Sequence, residues 1–283
     1  MKAVILAAGY GTRLERDLRD DRSGQYSHLI GVPKPLLPIG HCPLISHWTK
    51  VLTTLPSLDG VYVVTNGANH EKFVTWAKDW SCVQLVCDGS MSNEGRTGAV
   101  GCLELCVRQY NVQDDLLVIA GDTLFFDDFD LSQLVQKFES FKTKDPDASM
   151  LVYVTCTDEE VHKYGILELN EEKKVVGFLE KPQPEETSSR KECPCFYFLS
   201  SKCLPLLSQF LEEKKVSMCD FFRLVSNLPL KARDATGNFI AYLYQRAPVY
   251  ATEISGRFDV GGLQSYVICH EHFKKKAETE FLG

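Results

Sequence analysis

The chain has 283 residues and a formal net charge of −7, with 44% apolar and 24% charged residues, a globular composition with material for one large α/β domain or two small ones. The acidic balance gives no general attraction to nucleic acid or anionic lipid, and no stretch reaches the roughly 20 uninterrupted apolar residues of a membrane span. The run from Lys2 to Ala8 is too short, and too soon followed by glycine and arginine, for a signal peptide, so a cytoplasmic protein is expected.

In chain order, Ala3 to Ala7 is predicted as a strand that runs into a small-residue turn. Ala7, Ala8, Gly9 and Gly11 leave room for backbone N–H groups to approach an anion, while Thr12 and Arg13 add a hydroxyl and a planar charged fork. This turn reads as a polyphosphate site. Leu14 stands where a dinucleotide fold needs its third glycine, and no P-loop lysine follows. The highly charged insertion from Glu15 to Ser27 is read as a solvated surface excursion in preference to a mobile flap over the site. Strand-like runs recur at Gly60 to Thr65, Val83 to Cys87 and Leu116 to Ala120. Between them, Pro43 to Thr54, His70 to Trp80 and Gly98 to Gln109 carry apolar residues at helical spacing. Such alternation predicts a largely parallel sheet covered on both faces, with ligands at the carboxyl ends of the strands. The Gly9 turn, Asn66-Gly67, Asp88 with its loop, and Gly121-Asp122 all fall there.

Asp122 ends a buried strand directly after a glycine, and an acid so placed costs stability unless it has a partner. Asp127, Asp128 and Asp130 read instead as a solvated cap for a helix from Leu131 to Phe141. Beyond residue 140 the texture changes to short strands, Ala148 to Thr155, Gly165 to Leu169, Val175 to Glu180 and Cys195 to Leu199. A turn is predicted at Asn170 to Lys174, and a solvated loop at Pro182 to Lys191. The eleven cysteines are scattered, with Cys193-Pro194-Cys195 the closest pair and no C-x-x-C, which predicts reduced, mostly buried thiols. Cys193, Cys195, His270 and His272 match no standard zinc spacing.

Leu6-Ala7-Ala8-Gly9-Tyr10-Gly11-Thr12-Arg13-Leu14, followed by Pro33-Lys34-Pro35-Leu36-Leu37-Pro38-Ile39, resembles the two-part signature of the sugar-1-phosphate nucleotidylyltransferases. The resemblance implies that Leu6, Ala7, Ala8, Gly9, Gly11, Thr12 and Arg13 wrap a nucleoside triphosphate and that Lys34 contacts phosphate. Gly121-Asp122 and Phe258-Asp259-Val260-Gly261 resemble the family's strand-end G-D and aromatic, D-x-G-containing patterns, implying Mg²⁺ on Asp122 and Asp259. Tyr164-Gly165 with Phe178-Leu179-Glu180-Lys181-Pro182 resembles its Y-G and F-x-E-K-P elements. Gly165 would then admit the sugar ring, Glu180 accept from sugar hydroxyls and Lys181 hold the sugar phosphate. The base-reading loop corresponds to Asp88 to Ala99, of which Thr97-Gly98-Ala99 survives. Asn93, Thr97 and Gly98 are nucleotide-binding candidates, Arg96 adds a polar donor near the phosphates or base, and UTP, dTTP, CTP and GTP all stay open. Cys195-Phe196-Tyr197-Phe198 stands where the family has a glycine-containing strand near the sugar, so pocket shape is not carried over.

The resemblance spans nearly the whole chain. It implies an α/β fold with a Rossmann-like mixed, mostly parallel sheet, helices on both faces and a mixed α+β sugar-binding portion. It further implies one nucleotidyltransferase domain over 1–283, with nucleotide-binding half 1–140 and sugar-binding half 141–283, and no hexapeptide repeats for a β-helix. The implied partners are a nucleoside triphosphate and a sugar-1-phosphate, with Mg²⁺ as cofactor and Arg13, Lys34, Asp122 and Lys181 catalytic. A homo-oligomer is left open. The rivals are transfer to phosphocholine or another small phosphorylated alcohol, and a non-catalytic nucleotide-sugar-binding regulatory subunit.

Overall fold

The computed structural model describes residues 1–213 and 230–282. Its first half alternates strand and helix: Lys2–Ala7 (β1), Thr12–Asp20 (α1), the two-residue strands Pro38–Ile39 (β2) and Cys42–Pro43 (β3), Leu44–Thr53 (α2), Val61–Thr65 (β4), His70–Ala77 (α3), Val83–Cys87 (β5), Ala99–Gln109 (α4), Leu116–Ala120 (β6), Thr123–Phe125 (β7) and Leu131–Lys144 (α5). The second half holds Ser149–Thr155 (β8), Gly165–Leu169 (β9), Val175–Glu180 (β10), Lys191–Cys193 (β11), Phe196–Leu199 (β12), Pro205–Glu213 (α6), Leu230–Asp234 (α7), Thr236–Leu243 (α8), Val249–Glu253 (β13), Arg257–Asp259 (β14) and Leu263–Leu282 (α9).

Ten strands share one sheet, in the order β10, β9, β11, β8, β12, β6, β1, β4, β5, with β13 added on β8. β6, β1, β4 and β5 run parallel, while β12 runs antiparallel to β6 and β8, and β9, β10 and β11 pair antiparallel. The sheet is therefore a mixed α/β one with a parallel centre. The central strands carry apolar residues at consecutive positions because both faces are covered. Along them, the two-residue side-chain period splits the core in two. Ala3, Ile5, Val61, Val63, Leu117 and Ile119 face a layer that includes Leu44 and Trp48 of α2, Phe138 of α5 and Tyr266 of α9. Val4, Tyr62, Val64, Leu116 and Val118 face Leu103 of α4, Phe210 of α6 and Phe239 of α8.

Most of residues 15–27 is exposed, as a solvated excursion requires, but the segment is not structureless. Its first part continues α1 to Asp20, and a 3₁₀ turn follows at Ser27–Leu29. Leu14 and Leu18, four apart, are both 3% exposed, and Glu15 joins Arg19 at 2.6 Å. Glu15 also accepts from the Gly31 backbone at 3.0 Å, which holds the following loop against the helix. That narrow apolar stripe was hidden among charges. The helix from Leu131 does take its cap from Asp130, which accepts from the Ser132 and Gln133 backbones. The Asn170 to Lys174 turn closes with an Asn170 N–H to Lys174 carbonyl bond of 3.0 Å. β7, β11, β13 and β14 were not expected, being short or pairing only with distant segments. Among the described residues no helix is long and apolar enough to cross a membrane.

Phe198 is 0% exposed and stacks on Phe138 with ring centroids 5.2 Å apart. Phe198→Ala is expected to cost about 3–5 kcal/mol, from lost transfer energy plus a cavity, read as a lowered urea midpoint.

Candidate functional site

Parallel register brings the carboxyl ends of four strands to one edge: Ala7 pairs with Thr65, Thr65 with Cys87, and Leu6 with Ala120. The loops that leave these ends emerge together, as the open-sheet rule requires. They border a cavity of about 480 Å³ lined by Leu6, Ala8, Gly9, Asp88, Asn93, Gly98 and Asp122 from the first half, and by Gly165, Glu180, Lys181 and Asp259 from the second. Ala7, Gly11, Thr12, Arg13, Lys34 and Thr97 are outside that lining. Gly11 and Lys34 instead line an adjoining cavity of about 230 Å³ that shares Gly9 and Tyr10.

Two glycines make the close approaches at this edge. Gly11 has φ +61°, and a Cβ there would lie 3.3 Å from Cγ of Lys34, so the Lys34 stem packs on the turn. Gly121 donates its N–H to the Leu6 carbonyl at 2.9 Å, and a Cβ on it would fall 2.7 Å from that oxygen. Lys34 Nζ then reaches Asp122 Oδ2 at 3.2 Å. Asn66, fully buried, donates to the Ala8 carbonyl at 3.1 Å and so fastens the Gly9 turn. Arg13 is exposed and lies along Gly261 and Gly262, where a Cβ on Gly261 would be 3.5 Å from its Nη1.

Asp259 reaches Asp122 through a strand pair. β14 runs antiparallel to β7 with Asp259 opposite Thr123, and the Val260 N–H bonds the Asp122 carbonyl at 2.9 Å. Asp259 Oδ2 accepts from the Tyr164 hydroxyl at 3.2 Å and meets Arg257 Nη1 at 3.4 Å. Arg257 is a buried cation: its Nε donates to Glu192 Oε1 at 3.0 Å, and its guanidinium lies 4.4 Å from the Tyr164 ring centre. Burial works to lower its pKa, but Glu192 and Asp259 together carry it above the ordinary arginine value. Burial also pushes the Glu192 carboxyl up, against the pull of Arg257, and Tyr164 up to about 12.

On the opposite wall, a Cβ on Gly237 would sit 1.8 Å from Glu180 Oε2, and one on Gly165 would sit 2.4 Å from Phe178 Cζ and 3.1 Å from Glu180 Oε2. Glu180 is thus pressed against the start of α8, where the N-terminal end of a helix favours a negative charge. Desolvation raises its pKa, and Lys181 opposes the rise. Lys181 adopts φ +52° and donates its backbone N–H to the Tyr164 carbonyl at 3.0 Å. The strand lacking the family's glycine contributes Cys195 and Tyr197 to the lining, with Tyr197 bonded to Thr236 Oγ1 at 2.9 Å.

Arg96 is not a loose donor toward the phosphates or base. Its Nε and Nη2 meet the two carboxylate oxygens of Asp234 at 2.9 and 2.8 Å, and its Nη1 donates to the Asn93 carbonyl and side chain. Arg233 in turn donates to the carbonyls of Arg96 and Thr97. Gly98, at φ +84°, lets its backbone pass the Arg233 carbonyl, where a Cβ would be 2.7 Å away. Sequence reasoning missed Tyr164's hydroxyl, Glu192, Arg233, Asp234, Gly237 and Arg257. Tyr164 belongs to the Y-G element and Arg257 stands two residues before Asp259, so both were close to motifs; Glu192, Arg233, Asp234 and Gly237 are brought to or behind the cavity wall through folding alone.

A family model described as "Nucleotidyl transferase" matches residues 2–276. The chain is 24% identical over 284 residues to the bifunctional protein GlmU of Methanococcus maripaludis, covering 100% of this chain and 57% of the relative. It is 28% identical over 195 residues to a probable mannose-1-phosphate guanylyltransferase 1 of Oryza sativa subsp. japonica, covering 65% of this chain and 46% of the relative. The chain thus spans about half the length of these curated relatives. Among solved structures, UDP-glucose pyrophosphorylase complexed with UDP-glucose superposes with a TM-score of 0.68 at 21% identity, over 97% of this chain and 98% of that one. CTP:phosphocholine cytidylyltransferase from Streptococcus pneumoniae does so at 0.66 and 19%, over 96% and 99%. At these identities the two structures show a shared fold.

Burial raises the thiol pKa of Cys102 and Cys193 well above the usual value and pushes Cys195 up to about 12. Little thiolate then exists at pH 8, so these three are expected to resist maleimide while exposed Cys82 and Cys87 label first, as followed by peptide mass spectrometry.

Proposed function

The chain belongs to the nucleotidyl transferase family, and on that premise we propose that it joins a nucleoside triphosphate to a sugar-1-phosphate, releasing pyrophosphate and leaving a nucleotide sugar. The observation that carries this reading is the convergence of Asp122 and Asp259 with Glu180 and Lys181 on one cavity at the strand ends. The acceptor phosphate oxygen attacks the α-phosphorus, the bond to the β-phosphate bridging oxygen breaks, and no covalent enzyme intermediate is needed. The curated relatives named for GlmU and for mannose-1-phosphate guanylyl transfer support the same class of reaction.

The chain's residues divide the work by charge and reach. Backbone N–H groups of the Gly9–Gly11 turn hold the triphosphate, with Leu6, Ala7 and Ala8 flat enough to let it approach and Thr12 adding a hydroxyl. Arg13, lying along Gly261 and Gly262 beside Asp259, stabilises the charge that collects on the leaving pyrophosphate. Lys34 brings a positive charge to the same turn. Lys181 steers the acceptor phosphate and offsets repulsion between two anionic reactants, while Glu180 takes hydrogen bonds from sugar hydroxyls and Gly165 leaves room for the ring. Asn93 and Gly98 border the nucleotide, and Thr97 sets the path of the backbone there.

The donor set suits Mg²⁺. Asp122 and Asp259 are hard oxygen ligands, each with Oδ2 already paired inside the protein and Oδ1 outside those pairs. Mg²⁺ is commonly held by one or two carboxylates plus substrate phosphates. The absence of a three-ligand cluster among the described residues is compatible with that mode. Bound there, the ion would offset phosphate charge and align the attacking oxygen.

Asp122→Asn and Asp259→Asn are each expected to lower turnover about 100-fold or more with unchanged thermal unfolding. The assay is pyrophosphate release across nucleoside triphosphates and sugar-1-phosphates, with phosphocholine included. EDTA should stop the reaction and Mg²⁺ restore it. Full activity in both variants would remove the carboxylate scheme.

A further inference from the structure

Asp88 is a buried acid that the reaction above leaves without a task. It follows β5, is 5% exposed, and lines the same cavity as Asp122. Its Oδ1 accepts from the Ser90 backbone N–H at 2.8 Å and from the Ser90 hydroxyl at 2.7 Å. Because that hydroxyl's one proton is committed to Asp88, the Tyr10 hydroxyl, 3.1 Å from Ser90 Oγ, is the donor of the next bond. The chain Tyr10 to Ser90 to Asp88 therefore has one direction, and it ends on an acceptor. Asp88 Oδ2 has the Cys102 thiol at 3.7 Å as its hydrogen-bond partner, a weak donor that leaves this oxygen able to take a stronger one.

Position points to the base. Tyr10 belongs to the turn that takes the phosphates, so Asp88 lies two hydrogen bonds from it. Leu6, Ala8 and Ala99 line the same cavity as Asp88 and offer apolar surface for the faces of a planar ring. The cation in the same loop, Arg96, turns its Nε, its Nη1 and one Nη2 N–H to Asp234 and Asn93, while Asp88 Oδ2 offers an arriving base edge an acceptor.

We infer that Asp88 reads the nucleobase, and that the triphosphate used is one whose base carries an exocyclic amino group, as cytosine, adenine and guanine do, in preference to uracil or thymine. This rests on the nucleotidyl-transfer reading and deepens it. An amino N–H donates directly to Asp88 Oδ2. Uracil and thymine flank their single ring N–H with two carbonyl oxygens, so the same approach sets a carboxylate against two like partial charges.

The test is equilibrium binding of ATP, CTP, GTP, UTP and dTTP, each with Mg²⁺, by calorimetry on the wild-type chain and on Asp88→Asn. The wild type is expected to bind its best amino-bearing triphosphate about tenfold or more tightly than UTP or dTTP. Asp88→Asn, which gains an N–H₂ donor for a carbonyl, is expected to narrow that ratio. Wild-type preference for UTP or dTTP overturns the proposal, and so does an equal loss for every nucleotide in an Asp88→Asn protein that melts normally. Should Asp88→Asn fail to fold, Asp88→Ala removes the carboxylate acceptor without adding a donor. A narrowed ratio supports the assignment and an unchanged ratio overturns it. Binding needs no turnover, so a protein silent in pyrophosphate release but selective among nucleotides would sink the reaction and keep the base reading.

Discussion

The meeting of β1 and β6 at Gly121 is the constraint on which the site depends. The Gly121 N–H to Leu6 carbonyl bond carries the parallel ladder one residue past β6, and the backbone there is too close to Leu6 and Pro35 to admit a Cβ. Asp122 is thereby delivered at the level of the Gly9–Gly11 turn rather than beyond it. Pro35 packs against the same glycine, and its neighbour Lys34 places an ammonium on Asp122. A larger residue at 121 would push apart two strands at the centre of the sheet, so the proposed catalytic edge and the core share one contact.

A second organising feature is the buried charge behind Asp259. Glu192 and Arg257 have side chains 6% and 7% exposed, and moving such ions out of water is costly unless geometry and hydrogen bonds compensate. Here Arg257 is shared between Glu192 and Asp259 and covered by the Tyr164 ring, so one cation serves two acids. The arrangement fixes the orientation of the second proposed metal ligand. Glu192 Oε2 lacks a hydrogen-bond partner, which fits the upward shift of that carboxyl under burial.

The two walls of the cavity are also joined. Arg96 on the nucleotide side is held by Asp234, and Thr236 and Gly237, immediately following, bond Tyr197 and press on Glu180. Residues 233–237 therefore touch the loop after β5 and the acceptor wall at once. Such a link ties the positions of the proposed nucleotide and acceptor walls through contiguous packed groups.

Much of this was legible in the residues. Apolar runs at Leu116–Ala120, Val83–Cys87 and Val175–Glu180 coincide with strands, because a segment covered on both faces or alternating on one leaves its period in the chain. Glycines at 11, 98, 121 and 165 mark close approaches or left-handed backbone that the local sequence must accommodate. α1 was missed because its apolar stripe is only Leu14 and Leu18 among charges, too narrow a signal for periodicity. The sequence by itself determined the parallel strand-and-helix alternation and the acids and glycines that sit at strand ends, since those follow from neighbours along the chain. Tertiary structure alone decided which charges face which: Arg96 lies 138 residues from Asp234, and Asp259 reaches Asp122 only through β14 on β7. Coulomb and hydrogen-bond energies depend on separation in space, and no local pattern encodes it.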